Sequence, residues 1–454
     1  MSSNEMGSLV LALGLLIACA HVLGYLFERL RQPRLVGEIL AGVLLGPFVL
    51  GHFAPSLSTN IFGDLALGTG KTEVVLNFTY WIGLFLLMFI SGSETRRLMA
   101  RENQRETAWL LGIGKAVPLL LVLGLGFASF LPLNAIVADS RQTTSALLVL
   151  AIAVVVTSIP VISRIFYDLK ILHTRFASLI LGFAVVEDIV LWGMLGIATN
   201  SPKGASPANG FVINDIAAEI VVTLVFLTVG LVVAPRVLKF VHSARWNILV
   251  RASSVGYLFV ILFSYAALAS LFGVNLVFAS FLAGFAIVNG TSGAERSRFS
   301  ESLDSIGKVA FAVFIPVYFA IVGYKLVLGR GFSLTMVVVF LIGSSLISML
   351  STGFAAKLAG FRNLDIMNLA ITTNARGGPG IILASVAFDA GIINAQFYTT
   401  LVLTAVLTSQ AAGAWLRFVL GRGWPLLSTN PTEIWSGVDI ERPVELEPVH
   451  KTTA

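Results

Sequence analysis

The sequence predicts an all-α membrane protein with about thirteen transmembrane helices, arranged as two inverted six-helix repeats with crossed broken helices 5 and 12. Three observations predict this fold class. The 454 residues are 56% hydrophobic and 12% charged, with a mean hydropathy of +0.89, which is far too apolar for a soluble globular protein. Apolar runs recur at the length of a membrane span. Two of these runs are interrupted by proline or glycine at corresponding positions.

Helix boundaries follow from the length of about 20 residues that crosses a hydrocarbon core of roughly 30 Å. The thirteen predicted segments are residues 7–27, 35–53, 74–91, 107–132, 143–166, 174–199, 216–240, 252–271, 275–290, 303–327, 332–360, 364–389 and 396–420. We expect a transmembrane domain over 1–420, composed of repeat one (about 7–199), a linker helix (216–240) and repeat two (about 252–420). Residues 421–454 are predicted to form a short cytoplasmic tail, too short for a nucleotide-binding domain.

Orientation follows from the loops, because basic residues in short loops stay on the cytoplasmic side. Loops after odd-numbered helices are rich in Lys and Arg, whereas the loops between them hold only Lys71, Arg141, Lys203, Lys325 and Arg330. The N-terminus is therefore expected outside and the C-terminus in the cytoplasm. Short loops favour a multi-pass protein of a bacterial cytoplasmic membrane. The net charge of +6 is explained by these basic loops, which lie beside the lipid bilayer. We therefore expect no nucleic acid as a partner.

Two pairs of segments indicate an internal repeat. "GEILAGVLLG" (37–46, helix 2) resembles "ASFLAGFAIV" (279–288, helix 9), and both contain Leu-Ala-Gly. "GLFLLMFISGSETRRL" (83–98, helix 3) is similar to "AVFIPVYFAIVGYKLV" (312–327, helix 10). The members of each pair are seven helices apart. Because seven is odd, the two repeats are predicted to have opposite orientations across the membrane.

Helix 5, the fifth helix of repeat one, contains a predicted break in "VVVTSIPVISR" (154–164). Pro160 has no amide hydrogen, so the carbonyl group of Val156 loses its usual helical partner. The hydroxyl groups of Thr157 and Ser158 lie beside this free carbonyl group. The segment therefore offers several oxygen atoms in the middle of the membrane.

Helix 12, the fifth helix of repeat two, contains a second predicted break in "TTNARGGPGII" (372–382). Pro379 frees the carbonyl group of Ala375, and three glycines make a continuous helix improbable. Asn374 and Arg376 are the polar side chains of this break, for which we predict structural and charge-compensating roles. Two interrupted helices at equivalent positions of inverted repeats predict an ion or substrate site where they cross.

Helix 6 carries two adjacent acidic residues, Glu187 and Asp188, within the apolar run "LGFAVVEDIVLWGML". A carboxylic acid in a low-dielectric interior keeps its proton unless a cation lies beside it. Successive helical residues point about 100° apart, so the two groups face different directions. We expect Asp188 to face the crossing and to alternate between a proton and a transiently bound monovalent metal ion. Glu187 is expected to pair with Arg376, because an unpaired guanidinium group at that depth is costly.

Several of these segments carry a resemblance to a known family. Helix 2, "RLRQPRLVGEILAGVLLGP", resembles the opening signature of the monovalent cation:proton antiporters, in particular their Kef-type and Nap-type branch. The segments "GLFLLMFISGSE", "TSIPVISRIFYDLKIL", "VVEDIVLW", "FIPVYFAIVGYKL" and "NARGGPGIILASVAFDAGII" follow in the order typical of that family. The similarity covers residues 7 to about 420. It implies exchange of Na⁺, Li⁺ or K⁺ for H⁺, a role in pH homeostasis, and a homodimer with elevator-like alternation.

The resemblance also assigns residues. It places the family's essential aspartate at Asp188 and its polar residues of the fifth-helix break at Thr157 and Ser158. The position before the aspartate is Asp in electrogenic members and often Asn in electroneutral ones, but here it is Glu187. The lysine that electrogenic members carry midway along helix 11 aligns with Ser348. These departures favour one cation per proton, with electrogenic exchange as the rival.

Other polar residues suggest no further chemistry. Lys115, about a third of the way into helix 4, is expected to reach the membrane interface by snorkelling. His21 is isolated and Cys19 is the only cysteine, so the sequence predicts neither an enzyme nor a cofactor nor a disulfide. Two alternatives remain open. One is an exporter of an organic cation on the same scaffold, which a larger cavity around helices 5 and 12 would favour, and the other is an uncoupled cation channel.

Overall fold

The structure, a computed structural model, describes residues 2–30, 32–63, 70–98, 104–172, 174–200, 213–244, 247–291, 295–329 and 331–428. The part of the predicted tail beyond residue 428 lies outside this range. The regular elements within it are helices, apart from one isolated β-bridge between Val137 and Ile393. In chain order the α-helices are α1 (Ser3–Arg29), α2 (Arg34–Leu45), α3 (Leu50–Phe53), α4 (Pro55–Phe62), α5 (Lys71–Leu98), α6 (Gln104–Trp109), α7 (Ala116–Phe127), α8 (Thr143–Val155), α9 (Ile159–Asp168), α10 (Arg175–Asn200), α11 (Ile213–Thr228), α12 (Ala234–Ser243), α13 (Ile248–Ala252), α14 (Ser254–Leu271), α15 (Leu276–Asn289), α16 (Glu295–Val309), α17 (Ile315–Tyr324), α18 (Leu334–Leu358), α19 (Leu364–Thr373), α20 (Gly377–Asp389) and α21 (Ala395–Gly421).

Three turns of π-helix connect neighbouring α-helices without a loop. Leu110–Lys115 joins α6 to α7, Val229–Val233 joins α11 to α12, and Ala310–Phe314 joins α16 to α17. A π-helical turn holds one more residue than an α-helical turn and is frequent at functional sites. Each of these pairs therefore continues as one long helix with a local change of register.

Eleven helices of the described residues are long and apolar enough to cross a membrane, judged by length and composition. Two of the thirteen predicted segments are not among them. Segment 275–290 is the 14-residue apolar helix α15. Segment 364–389 is divided into α19 and α20, which have 10 and 13 residues. The all-helical fold class is confirmed for the described residues, and one of the two missing segments is helix 12, the second of the two predicted broken helices.

Predicted segment 35–53 is not one continuous helix. Helix α2 ends at Leu45, and the four-residue helix α3 follows after Gly46 and Pro47. Proline lacks the amide hydrogen that a helix requires, and it disfavours helical geometry in the residue before it. Residues 34–53 together are still long and apolar enough to cross a membrane, so the predicted span is present with an interruption after Leu45.

Glycines bring two pairs of helices into backbone contact. Four of them share one property, that a Cβ atom would overlap a carbonyl oxygen of the facing helix: Gly42 on Ala320, Gly323 on Ile39, Gly92 on Phe281 and Gly284 on Phe89. These contacts join α2 to α17 and α5 to α15, and we call the four helices the glycine frame. Gly42 and Gly284 end the two Leu-Ala-Gly motifs, so the related motifs make equivalent contacts.

Candidate ion-binding site

The two predicted breaks are present and touch each other. Helix α8 ends at Val155 and α9 begins at Ile159, whereas α19 ends at Thr373 and α20 begins at Gly377. The amide of Ser158 in the first break donates a hydrogen bond of 2.7 Å to the carbonyl oxygen of Ala375 in the second. This is the carbonyl group that Pro379 deprives of its helical partner. Each break therefore satisfies a backbone group of the other.

Gly377 permits this close approach. Its φ angle is +39°, and a Cβ atom there would lie 2.5 Å from the hydroxyl oxygen of Ser158. The hydroxyl group of Ser158 also accepts a 3.3 Å hydrogen bond from the amide of Val161, and so caps the N-terminus of α9. A glycine is thus required at the second break by both space and conformation.

The side chain of Lys115, the last residue of the π-helical turn between α6 and α7, enters the crossing. Its Nζ atom donates hydrogen bonds to the carbonyl oxygen of Val155 (2.7 Å), the hydroxyl oxygen of Thr157 (2.6 Å) and the carbonyl oxygen of Thr373 (3.3 Å). Thr157 in turn donates to the carbonyl oxygen of Thr373 at 2.9 Å. An ammonium group has three N–H donors, and all three find an oxygen here.

The position of Lys115 also balances charge. Val155 and Thr373 are the last residues of α8 and α19, so Lys115 places a positive charge at the negative ends of two helix dipoles. Its side chain is only 6% exposed. The prediction that Lys115 snorkels to the interface is therefore wrong, because the buried oxygens of both breaks bind the ammonium group.

Glu187 and Asp188 are both buried but differ in their surroundings. The Oε2 atom of Glu187 lies 3.7 Å from Nζ of Lys115, within ion-pair distance but beyond hydrogen-bond distance. Asp188 is 1% exposed, and its Oδ2 atom has no hydrogen-bond partner. The side chain of Asp188 makes neither an ion pair nor a hydrogen bond with another described residue. Lys115 therefore balances one of the two adjacent buried carboxylates, and the other has no side-chain partner among the described residues.

The predicted pair between Arg376 and Glu187 is wrong, because Lys115 occupies that role. The guanidinium group of Arg376 instead donates weak hydrogen bonds of 3.4 Å to the carbonyl oxygen of Val154 and to Oδ1 of Asn374. It also lies 5.5 Å from the ring centroid of Phe340. Arg376 thus adds positive charge near the C-terminal end of α8, on which Lys115 also acts.

The structure therefore brings most of the predicted site residues together at one crossing. Thr157, Ser158, Asn374 and Arg376 lie in the two breaks, and Pro160 and Pro379 lie in the first turns of the helices that follow them. The residue whose role the sequence analysis missed is Lys115. A signal was present, since a lysine and a glutamate within predicted membrane spans each require a partner of opposite charge.

The architecture is that of an ion-coupled membrane transporter, in which two interrupted helices meet at a charged site inside the membrane. The chain belongs to the sodium/hydrogen exchanger family, because the family model described as "Sodium/hydrogen exchanger, transmembrane" matches residues 15–422. The resemblance to the monovalent cation:proton antiporters is thereby confirmed.

Individual relatives agree with this assignment. The chain is 25% identical over 412 residues to the Na(+)/H(+)-K(+) antiporter GerN of Bacillus cereus, covering 90% of this chain and 95% of the relative. It is 24% identical over 414 residues to Cation/H(+) antiporter 17 of Arabidopsis thaliana, covering 88% of this chain but only 47% of the plant protein. The chain thus spans about half the length of that plant relative.

A solved structure has the same fold. The sodium proton antiporter MjNhaP1 from Methanocaldococcus jannaschii, determined at pH 8, matches with a TM-score of 0.60 at 15% sequence identity. The match covers 91% of this chain and 98% of that one. The similarity extends over nearly the whole transmembrane part, so the helical architecture is shared throughout.

Proposed function

We propose that this protein exchanges Na⁺, Li⁺ or K⁺ for protons across a membrane, and that Asp188 is the carboxylate that binds proton and cation in turn. The family and the names of the relatives support cation/proton exchange in general. The observation that carries the specific proposal is the free Oδ2 atom of the buried Asp188 beside an already balanced Glu187. A buried carboxylate without a partner needs either a proton or a cation.

The other site residues have complementary roles in this proposal. The cation is bound by the carboxylate of Asp188 and by oxygen atoms of the first break, including the hydroxyl groups of Thr157 and Ser158. Monovalent alkali cations prefer such oxygen ligands. Lys115 balances the charge of Glu187 throughout the transport cycle. Glu187 therefore contributes to the electrostatic potential at the site but does not bind the transported proton or cation.

Charge balance favours one cation per proton. With Lys115, Glu187, Asp188 and Arg376 all ionised, the formal charges of the crossing sum to zero. Binding of either one proton or one monovalent cation at Asp188 gives the same net charge. The three hydrogen bonds of the Lys115 ammonium support its remaining protonated in both states. Electrogenic exchange would instead require Lys115 to release its proton when the cation binds.

We infer that transport proceeds by alternating access between two inverted repeats. The equivalent glycine contacts of the two Leu-Ala-Gly motifs and the corresponding positions of the two breaks support this symmetry. The basic loops support an outer N-terminus and a cytoplasmic C-terminus. The family resemblance supports a homodimer in the cell membrane.

Reconstituted protein tests the proposal. Liposomes with an imposed proton gradient are given Na⁺, Li⁺ or K⁺, and internal pH is followed. We expect cation-driven proton movement that Asp188→Asn abolishes. Asp304→Asn is the matched control, because that carboxylate is exposed and, among the described residues, its ion pair is with Lys308. Full exchange by Asp188→Asn would refute the assigned role, and the absence of cation-driven proton movement in the unaltered protein would refute the function.

Stoichiometry has its own measurement. For one-to-one exchange, the cation gradient that balances a given pH gradient is independent of membrane potential. A balance point that shifts with imposed potential would support electrogenic exchange and the participation of Lys115 as a second proton carrier.

A second candidate function rests on a cavity. An open, mostly apolar cavity of about 580 Å³ borders the second break, and its lining includes Ile371, Asn374, Thr408, Trp415 and Phe418. A space of this size fits an organic cation better than a bare metal ion. Proton-coupled efflux of ethidium from the same liposomes, without a response to Na⁺, Li⁺ or K⁺, would favour this organic-cation exporter.

A further inference from the structure

A second buried polar cluster lies at the far end of α20, about 18 Å along the helix from its break. Asp389, the last residue of α20, accepts a 2.8 Å hydrogen bond from Nζ of Lys325 at Oδ1 and a 2.7 Å hydrogen bond from the hydroxyl group of Tyr80 at Oδ2. Nζ of Lys325 also lies 4.2 Å from the ring centroid of Tyr80. The side chains of Lys325 and Asp389 are 11% and 16% exposed. This ion pair is therefore largely shielded from solvent.

Further polar contacts continue the cluster along the same interface. The hydroxyl group of Tyr318 donates to Oγ of Ser385 at 3.4 Å, and that of Tyr398 donates to the carbonyl oxygen of Val322 at 2.9 Å. Tyr80, Tyr318 and Tyr398 are fully buried. We call these contacts, together with the Tyr80, Lys325 and Asp389 contacts, the polar seam.

The polar seam joins two groups of helices that differ in function and packing. Tyr80 and Tyr318 lie on α5 and α17, and Lys325 follows α17 directly. Both helices belong to the glycine frame, in which the backbones of facing helices are in direct contact. Ser385 and Asp389 lie on α20, which begins at the second break. The seam therefore connects the glycine frame to the helix that begins at the second break.

The opposite end of the bundle is held differently. There Arg164 of α9 and Glu28 of α1 form an ion pair of 2.5 Å, with side chains 56% and 44% exposed. An exposed ion pair is screened by water and contributes little. The pair at Asp389 is shielded and adds a hydroxyl donor to the same carboxylate, so that end is held more firmly.

We propose that the polar seam is a gate that closes the route between Asp188 and the side of the membrane where Asp389 lies, and that it must part for exchange on that side. This inference rests on the proposed alternating access. Any displacement of α20 relative to the glycine frame separates Asp389 from Tyr80 and Lys325. The strength of these contacts then sets how often the gate opens.

Cysteine labelling measures this opening directly. Cys19 is replaced by serine to remove the only cysteine, and Ser385→Cys serves as the reporter, since Ser385 is 1% exposed and one turn from Asp389. A membrane-impermeant maleimide is applied to intact cells, which under the proposed orientation exposes the Asp389 side. We expect slow labelling while the contacts of Asp389 with Tyr80 and Lys325 are intact and, in Asp389→Asn, labelling at least about tenfold faster because two hydrogen bonds to a charged group weaken.

Two tyrosine variants separate the effect of the Tyr80 hydrogen bond from the general effect of removing a hydroxyl group. Tyr80→Phe removes one hydroxyl group but keeps the ring beside Lys325, so we expect a smaller acceleration, about threefold to tenfold. Tyr265→Phe is the control, because the hydroxyl group of Tyr265 has no hydrogen-bond partner among the described residues. Monodisperse elution and a thermal transition close to that of the parent establish that each variant is folded.

The outcomes separate this inference from the proposed function. Equal labelling rates in the parent, Asp389→Asn and Tyr80→Phe would overturn the gate, even if exchange depends on Asp188. Faster labelling of the two seam variants, with exchange that survives Asp188→Asn, would keep the gate and overturn the assigned cargo site.

Discussion

Replacing Lys115 with methionine removes the ammonium group from the crossing while keeping a side chain of similar length. The change leaves Glu187 buried without its cation and takes a donor from the carbonyl oxygens of Val155 and Thr373 and the hydroxyl oxygen of Thr157. Loss of one member of a buried ion pair typically costs about 3–5 kcal/mol. We expect Lys115→Met to lower the free energy of unfolding by that amount.

The double variant Lys115→Met/Glu187→Gln isolates the ion pair. Because the second substitution removes the uncompensated charge, we expect it to recover about 2 kcal/mol of the loss. Lys357→Met is the control, since Lys357 is exposed near the end of α18, and its loss is expected within about 0.5 kcal/mol. Chemical denaturation in detergent, followed by tryptophan fluorescence, measures all four proteins. A loss below about 1 kcal/mol for Lys115→Met, or a double variant no more stable than the single one, would refute the reasoning.

Three further substitutions test local features, each by the apparent unfolding midpoint in detergent. Gly377→Ala is expected to lower the free energy of unfolding by about 2–4 kcal/mol, because Gly377 has a positive φ angle and faces Ser158. Gly378→Ala serves as the control, since no atom lies near its Cβ position. Equal losses in the two variants would contradict the crossing geometry. Gly284→Ala is expected to cost about 3 kcal/mol by separating α5 from α15, and Gly343→Ala, in open space, should cost far less. Glu28→Gln is expected to change the free energy of unfolding by less than about 1 kcal/mol, since its ion pair with Arg164 is exposed. A larger loss would contradict the view that this end of the bundle is held less firmly than the end at Asp389.

Local backbone chemistry explains why much of the fold could be predicted. Pro160 and Pro379 each remove an amide hydrogen from a helix, and this effect depends on no distant residue. Both breaks were therefore located from the sequence. Apolar length was a weaker guide, since it predicted segment 35–53 as one uninterrupted helix, whereas α2 ends at Leu45, before Pro47.

The partners within the site depend on long-range geometry that the sequence does not encode locally. Lys115 ends a π-helical turn and lies near Glu187, which is 72 positions further along the chain, so neither the turn nor the contact follows from the residues around either position. Ser348 stands at the helix-11 position where electrogenic members of the family carry a lysine, whereas the lysine beside Glu187 lies on helix 4. The two helices pack together, since Ser351 on α18 donates to the carbonyl oxygen of Ile113 in the π-helical turn at 2.7 Å.

The π-helical turn Leu110–Lys115 also makes the helix sensitive to its residue count. A turn of this kind is equivalent to a one-residue insertion into an α-helix, and one residue corresponds to about 100° of rotation about the helix axis. Deleting any one of residues 110–114 would remove the extra residue and change the backbone hydrogen bonds of the turn that holds Lys115. The placement of Lys115 thus depends on the number of residues in this turn. The turn is therefore expected to tolerate substitutions more readily than a change in length.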